Sequence, residues 1–348
     1  MPRRIRPQTV ARDLMDPENS DIKLPAEVWT RTWPPATPAE YGRVPYLEIG
    51  RRKFHPKQFA IALVLFLLTL ISTLAVGAQF ANAYAEGRNP DFDVFFSLYV
   101  KLLAHPSLLA PGIPFAFTLL GILLAHELGH YFACRAYRID ASYPYFIPAP
   151  TLIGTLGAFI RIRSPIPTRG ALFDVGISGP FVGFCLAIPA LAFGVAHAKV
   201  IAGAEVGTVV HFGTPLALRL LLAWLRPGVA ASNLVLHPIG RAAWVGLFAT
   251  SLNLIPAGQL DGGHILYALD SRRHARISLT VTLALVPLAI FFWWGWLAWA
   301  ILLLALRFRH PPLINPWQPL GARRMVWSVV ALAMFVLCFL PAPIVITG

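Results

Sequence analysis

The chain has 348 residues, of which 57% are hydrophobic and only 13% are charged. Soluble domains carry about 25% charged residues, so this composition excludes an ordinary soluble protein and indicates an integral membrane protein. The formal net charge of +13 could suggest nucleic-acid binding, but the basic residues lie mainly at the ends of apolar runs. That placement is typical of membrane orientation, and we expect no nucleic-acid partner. The three cysteines (Cys134, Cys185 and Cys338) are far apart and predict neither a disulfide framework nor a thiolate metal site.

Residues 1–56 are polar and contain several prolines and arginines. This stretch has no early apolar run of signal-peptide type, and its acidic residues argue against a transit peptide. We therefore predict an N-terminal cytosolic tail over 1–56.

Apolar runs along the rest of the chain predict about seven membrane spans. They cover approximately Phe59–Ala78, Pro114–Cys134, Leu172–Val195, Ala242–Leu269, two halves of Ile277–Phe308, and Met325–Leu340. The aromatic cluster at 291–296 resembles an interfacial belt, so we divide 277–308 there, with one long tilted helix as the alternative. We also expect a surface helix over Val94–Leu109 and a short external helix near Leu216–Leu225.

Lysines and arginines predict the orientation of these spans. With the N-terminus in the cytosol, the basic clusters at 51–57, 135–138, 161–169, 272–276 and 307–324 all fall on the cytosolic side. The external loops then retain only isolated basic residues, which agrees with the positive-inside rule. The same count places Glu205 and the C-terminus outside.

The pattern changes between Ser142 and Pro165, where prolines and glycines recur. Residues 158–163 alternate apolar and basic side chains, which is typical of a strand. We predict a small re-entrant β-hairpin, because non-helical backbone at membrane depth requires cover by protein or a cavity. An ordinary cytosolic loop is the alternative.

The second predicted span contains the sequence His126-Glu127-Leu128-Gly129-His130. Residues four apart share one helix face, so His126 and His130 can offer two imidazoles to one metal, with Glu127 beside them as a general base. Ionisable residues within a membrane-length apolar helix are costly and are functional by default. The alternative is a set of buried polar side chains that hydrogen-bond to neighbouring helices.

A catalytic zinc usually has three protein ligands, so a third ligand is expected later in the chain. Asp261 follows a stretch broken by proline and glycine, and it lies at the same predicted depth as His130. His264 stands three residues further on and is the alternative ligand. Asp174 is less favoured, because its position near Arg169 predicts an ion pair at the membrane interface.

Three motifs in this order resemble the site-2 protease family of intramembrane zinc metalloproteases. They are the His-Glu motif at 126–130, Gly-Ile-Ser-Gly-Pro at 176–180, and Asn-Leu-Ile-Pro at 253–256 leading into Leu-Asp-Gly-Gly at 260–263. The stretch 154–163 is similar to the re-entrant hairpin of that family. The chain looks closest to the compact branch without PDZ or CBS domains, which includes bacterial proteins and plastid proteins of plants.

The expected fold is an all-α polytopic membrane protein with about seven transmembrane helices and a small re-entrant β-hairpin in its core. The resemblance implies one zinc ion per chain, held by His126, His130 and Asp261, with Glu127 as the catalytic base. It also implies substrate-binding residues on the hairpin and within the fourth span, namely Gly154, Gly157, Ala158, Ile160 and Asn253. The implied activity is hydrolysis of peptide bonds in or near transmembrane segments of other proteins, as in regulated intramembrane proteolysis.

We therefore divide the chain into the tail at 1–56, a first transmembrane helix and external loop at 57–110, a catalytic membrane core at 111–270, and C-terminal transmembrane helices at 271–348. The expected partners are transmembrane protein substrates and the lipid bilayer. The expected location is the bacterial cytoplasmic membrane, with the active site toward the cytosol.

Two other functions compete with this hypothesis. Discontinuous helices and polar residues at mid-depth also mark transporters, so a zinc or small-solute transporter is one alternative. Glu127 argues against it, since a transporter needs no general base beside two ligands. A catalytically silent membrane scaffold is the second, and the complete His-His-Asp-Glu set counts against it.

Overall fold

A computed structural model describes residues 55–88, 105–200, 209–305 and 313–347, and helices predominate among them. The α-helices are α1 (Pro56–Glu86), α2 (Ile113–Ala136), α3 (Arg169–Ala196), α4 (Leu216–Leu225), α5 (Pro238–Asn253), α6 (Asp261–Leu269), α7 (His274–Phe291), α8 (Gly295–Ala305) and α9 (Ala322–Cys338). Short 3₁₀ helices occupy Pro106–Gly112 and Ala231–Asn233.

Several helix ends follow from local sequence signals. Pro56 occupies the first turn of α1, where its missing N–H costs no hydrogen bond. Gly87 ends that helix in the left-handed conformation, with φ of 67°. The Thr168 side chain accepts a hydrogen bond from the Ala171 amide at 3.1 Å and caps the start of α3.

Four helical segments in the described ranges are long and apolar enough to cross a membrane: Pro56–Glu86, Ser107–Ala136, Arg169–Ala196 and His274–Phe291. The chain is therefore a mostly helical integral membrane protein. The helices at the remaining predicted spans are shorter, with 16 residues in α5, 11 in α8 and 17 in α9. The total of seven spans stays a prediction.

The predicted short helix at Leu216–Leu225 is confirmed as α4. The predicted division near the aromatic cluster is also confirmed, because α7 ends at Phe291 and α8 begins at Gly295. The predicted tail over 1–56 lies almost entirely outside the described residues, and so does most of the surface helix predicted over Val94–Leu109.

Helices α2, α3 and α5 contact one another and form the centre of the bundle. Their inward faces carry large side chains with almost no solvent exposure, including Leu119, Leu191 and Trp244. Helices α3 and α5 cross closely at Gly194 and Gly240, where a Cβ on either residue would lie 2.1 to 2.6 Å from the other backbone. Small residues permit such crossings in membrane bundles, where helix association depends on close packing.

Short strands form three antiparallel pairs among the described residues. Strand β1 (Tyr145–Pro148) pairs with β2 (Thr155–Phe159), β3 (Lys199–Val200) pairs with β5 (Leu234–Val235), and β4 (Val209–Phe212) pairs with β6 (Ile344–Thr347). The last pair joins the loop before α4 to the end of the chain, which the local sequence pattern did not predict.

The β1–β2 pair lies in the region where the sequence predicts a hairpin, but its second strand begins earlier than the alternating pattern indicates. Strand β2 starts at Thr155, and Ile162 forms only an isolated bridge with Ala141. Gly154 and Gly157 adopt φ values of 81° and 101°, which other residues rarely adopt. Whether this hairpin re-enters the membrane stays a prediction.

Helix α9 is joined to the centre of the bundle by an ion pair on α3. The Arg324 guanidinium donates to both carboxylate oxygens of Asp174, at 2.9 and 2.7 Å, and Tyr137 donates its hydroxyl to the same carboxylate. Burial and this hydrogen bond raise the pKa of the Tyr137 phenol above its ordinary value. Asp174 thus forms the ion pair that the sequence predicts, but with Arg324 and not with the nearby Arg169, which instead donates to the carbonyls of Ala268 and Leu269.

Candidate metal centre

Helix α2 presents the polar residues of its motif within little more than one turn. His126 and His130 lie four residues apart on one face, with 5% and 6% exposure. Glu127 is also buried, at 4% exposure. Buried ionisable groups in an apolar helix are costly, so these three side chains require polar partners or a metal.

Asp261 reaches the same place because the fourth predicted span is broken, as the sequence predicts. Helix α5 ends at Asn253 and α6 begins at Asp261, with a turn between them. The turn is tight: a Cβ on Gly262 would lie 2.1 Å from the carbonyl oxygen of Leu254, and Gly258 has φ of 58°. This return of the chain brings Asp261, in the first turn of α6, against α2.

Three potential ligand atoms meet at this point. Nε2 of His126 lies 3.1 Å from Nε2 of His130 and 3.2 Å from Oδ2 of Asp261. Nε2 of His130 lies 3.3 Å from the same oxygen, so the three atoms form a nearly equilateral triangle. A tetrahedral zinc with bonds of about 2.0–2.1 Å separates its ligand atoms by about 3.3 Å. The triangle therefore fits zinc both in its atom types and in its spacing.

A hydrogen bond fixes the orientation of the His130 ring. Its Nδ1 lies 2.7 Å from the backbone carbonyl oxygen of Val175 on α3. Because a carbonyl only accepts, Nδ1 carries the proton and Nε2 presents its lone pair to the triangle. Such outer partners orient the ring and raise the basicity of metal-binding histidines.

Helix α3 can approach the two histidines only because it has glycines there. A Cβ on Gly179 would lie 2.1 Å from Nε2 of His130, which is far inside van der Waals contact. A Cβ on Gly183 would lie 3.2 Å from Nδ1 of His126. The two glycines are four residues apart and share one face of the helix. Because these glycines have no side chains, there is room for the imidazole rings of His130 and His126.

The structure brings Asp261, and not the alternative ligand His264, to the two histidines. The Cβ of His264 instead faces Gly176 on α3. Asn253, the last residue of α5, lies next to the triangle, with its amide nitrogen 3.3 Å from Nε2 of His126.

The predicted substrate-binding residues of the hairpin occupy different surroundings. Gly154 lies in the turn and packs against the backbone of α1. Gly157 is in β2, and Ala158 is paired with Phe146 across the hairpin. The backbone amide of Ile160, just after β2, approaches the Glu127 carboxylate. The hairpin therefore extends from α1 to the metal centre.

Sequence reasoning missed the role of the Val175 carbonyl, because a backbone acceptor has no sequence signature. It recognised Gly179 within the motif at 176–180 but not its partner, nor the partner of Gly183. Their spacing of four residues was the available signal, since it places both on the face that α3 turns toward α2.

The fold and the donor set together define a class of helical membrane proteins with a buried centre of two histidines and one carboxylate. The sequence profile of Peptidase family M50 matches residues 114–294, which is more than half of the chain and includes the whole triangle. The chain therefore belongs to peptidase family M50, which confirms the resemblance to site-2 proteases.

Curated plant proteins are similar over most of the chain. The probable zinc metalloprotease EGY1, chloroplastic, of Arabidopsis thaliana is 31% identical over 296 residues, covering 82% of this chain and 53% of the relative. EGY1 of Oryza sativa subsp. japonica is 28% identical, with 82% of this chain and 50% of the relative covered. The probable zinc metalloprotease EGY2, chloroplastic, of Arabidopsis thaliana is 30% identical, with 69% and 44% covered. The chain thus spans about half the length of these relatives.

Proposed function

We propose that the chain is an intramembrane zinc metalloendopeptidase that hydrolyses peptide bonds in or near transmembrane segments of other proteins. The observation that carries this proposal is the triangle of His126, His130 and Asp261 beside a buried Glu127. Membership of family M50 and the names of the plant relatives support it.

The triangle would hold one zinc ion per chain through two imidazole nitrogens and one carboxylate oxygen. Three protein ligands leave a coordination position open, which is the pattern of catalytic rather than structural zinc sites. When bound, zinc supplies Lewis acidity, which polarises a carbonyl and lowers the pKa of water toward neutrality.

Glu127 is the proposed general base. It follows His126 directly in α2, so its side chain leaves the helix in a different direction and is not part of the ligand triangle. In our proposal the carboxylate takes a proton from the attacking water and later delivers it to the leaving amine. The water must reach a centre in which His126, Glu127 and His130 are only 4–6% exposed, so a polar path from the cytosolic side is part of the proposal.

The substrate would bind as an extended strand along β2. Among the described residues β2 pairs only with β1, which leaves its other edge available for a further strand. An extended peptide at such an edge gains main-chain hydrogen bonds with the strand. A helical substrate segment must first break its own internal hydrogen bonds to become extended. Residues Gly154, Gly157, Ala158 and Ile160 would form this edge and its turn. The Asn253 amide would orient the scissile region.

The proposed substrates are transmembrane segments of membrane proteins, cleaved in regulated intramembrane proteolysis. We place the chain in the bacterial cytoplasmic membrane, with the metal centre toward the cytosol. The basic clusters of the sequence support that orientation through the positive-inside rule. The names of the plant relatives assign those proteins to chloroplasts, so the compartment is part of the proposal.

The replacement Glu127→Gln tests the proposal. It keeps the size of the side chain but removes the base, so zinc content should remain and cleavage of a membrane-embedded substrate should almost vanish. The matched control is Glu86→Gln, the same chemical change at the last residue of α1. Substantial cleavage by the Glu127→Gln protein would require another base or another reaction.

A further inference from the structure

A second charged site lies away from the metal centre, at the start of α5. Arg241 has only 5% of its surface exposed. Its guanidinium carbon lies 4.1 Å from the ring centroid of Phe212 and 5.7 Å from that of Phe80. Stacking of this kind covers the flat face of a guanidinium but does not satisfy its N–H groups, which point outward in the plane.

Among the described residues the Arg241 side chain has no hydrogen-bond or ion-pair partner. The described carboxylates interact elsewhere: Glu86 with Arg88, Asp140 with Arg163, Asp174 with Arg324, Asp270 with Arg273, and Glu127 and Asp261 at the metal centre. An isolated buried charge is among the most costly groups in a protein. The guanidinium therefore requires a counter-charge.

Arg241 lines a cavity of about 20 Å³ between α4, α5 and the end of β4. Most of its wall is apolar and buried, formed by Leu218, Leu222, Leu234, Leu236 and Trp244. The backbone of Gly213 contributes no free group, because its N–H donates to Pro343 and its carbonyl accepts from Trp244. Arg241 is thus the charged group of the wall.

Thr214 adds a second polar group to the wall of the cavity. It lines the cavity, and its hydroxyl oxygen lies 3.2 Å from Nε of Arg219, which donates to it. Accepting this bond leaves the hydroxyl hydrogen available to donate into the cavity. The buried guanidinium of Arg241 makes the potential in the cavity positive, and this favours an anion over a neutral water molecule.

We propose that this cavity binds a single monovalent anion of the size of chloride, held by Arg241 and Thr214. The size follows from the volume, since a cavity needs about 10–15 Å³ to hold one water-sized particle. The anion would attach the start of α5 to the loop between β4 and α4, and the far end of α5 carries Asn253. The site does not depend on the proposed peptidase activity.

The first test is thermal unfolding of the purified full chain in sodium chloride and in sodium gluconate at equal ionic strength. Chloride should raise the unfolding midpoint saturably, by about 3 °C. Arg241→Met should abolish this difference. The matched control Arg226→Met removes an arginine outside the cavity and should keep it. An equal midpoint in both salts, or a chloride effect that persists in Arg241→Met, would overturn the proposal.

The second test needs no variant and so covers the case in which Arg241→Met does not fold. Crystals of the wild-type chain grown in sodium bromide should show one anomalous peak within hydrogen-bond distance of Arg241 and Thr214. Absence of the peak would contradict the proposal. The cavity would then contain water, or the counter-charge would come from a carboxylate outside the described ranges.

Discussion

Gly179→Ala adds one methyl group where α3 faces the metal centre, and it should disable the centre without removing a ligand. The added Cβ would lie 2.1 Å from Nε2 of His130. An ordinary van der Waals contact needs at least 3.4 Å, so the imidazole or the helix would have to move by about 1.3 Å.

A displacement of this size is large compared with the tolerance of a metal site, where ligand distances lie within about 0.2 Å of their ideal values. Misplacement of a catalytic group by about 1 Å can cost about 100-fold in rate. Overpacking of this kind costs about 1–3 kcal/mol of folding free energy. The higher helix propensity of alanine relative to glycine offsets about 1 kcal/mol of that cost. We therefore expect a folded protein with less zinc and cleavage reduced at least about 100-fold.

The assay measures zinc content, helical circular dichroism and cleavage of a membrane-embedded substrate by the purified variant. Gly121→Ala is the matched control, because it makes the same change in α2 at a position where an added Cβ meets nothing within 4 Å. That variant should behave like wild type. A Gly179→Ala protein with full zinc and the wild-type cleavage rate would refute the packing argument.

Three further predictions concern the hairpin, the orientation and α9. Ala158→Pro should lower cleavage steeply at unchanged zinc content, because proline cannot donate within a strand and distorts it, whereas Ile160→Val should be mild. Wild-type cleavage by the proline variant would make the hairpin a mere connector. A reporter fused after Arg272 should be cytosolic and one near Glu205 external, and the opposite pair of results would reverse the topology. Arg324→Met should lower the free energy of unfolding by about 1 kcal/mol, since it removes the ion-pair partner of the half-buried Asp174 carboxylate. Unchanged stability in detergent unfolding would show that this ion pair does not hold α9.

The sequence was informative where function depends on residues close together along the chain. The spacing of His126 and His130 is a property of one helix, and the proline and glycines before Asp261 break the helix locally. The sequence placed Asp261 at the same predicted depth as His130, and the structure brings its carboxylate to the two histidines. Helix α4 was predicted at its observed position, Leu216–Leu225, because its sequence signal also lies within one short segment.

Contacts between distant segments could not be predicted in this way. From the sequence alone, the carboxylate of Asp174 could form an ion pair with Arg169 or with Arg324. In the fold it pairs with Arg324, which is 150 positions away. The bond from His130 to a backbone carbonyl has no side-chain signature. The burial of Arg241 depends on β4 and α4 packing over it, which a pattern along one helix does not encode.

The most direct measurement of the central claim is zinc content together with membrane-substrate cleavage for the wild-type chain and for His126→Ala and Asp261→Ala. We predict about one zinc per wild-type chain and loss of both zinc and cleavage in the two variants. The control Asp270→Ala changes a carboxylate at the opposite end of α6 and should keep its zinc. A well-folded Asp261→Ala protein that retains a full zinc and cleaves at the wild-type rate would contradict the account.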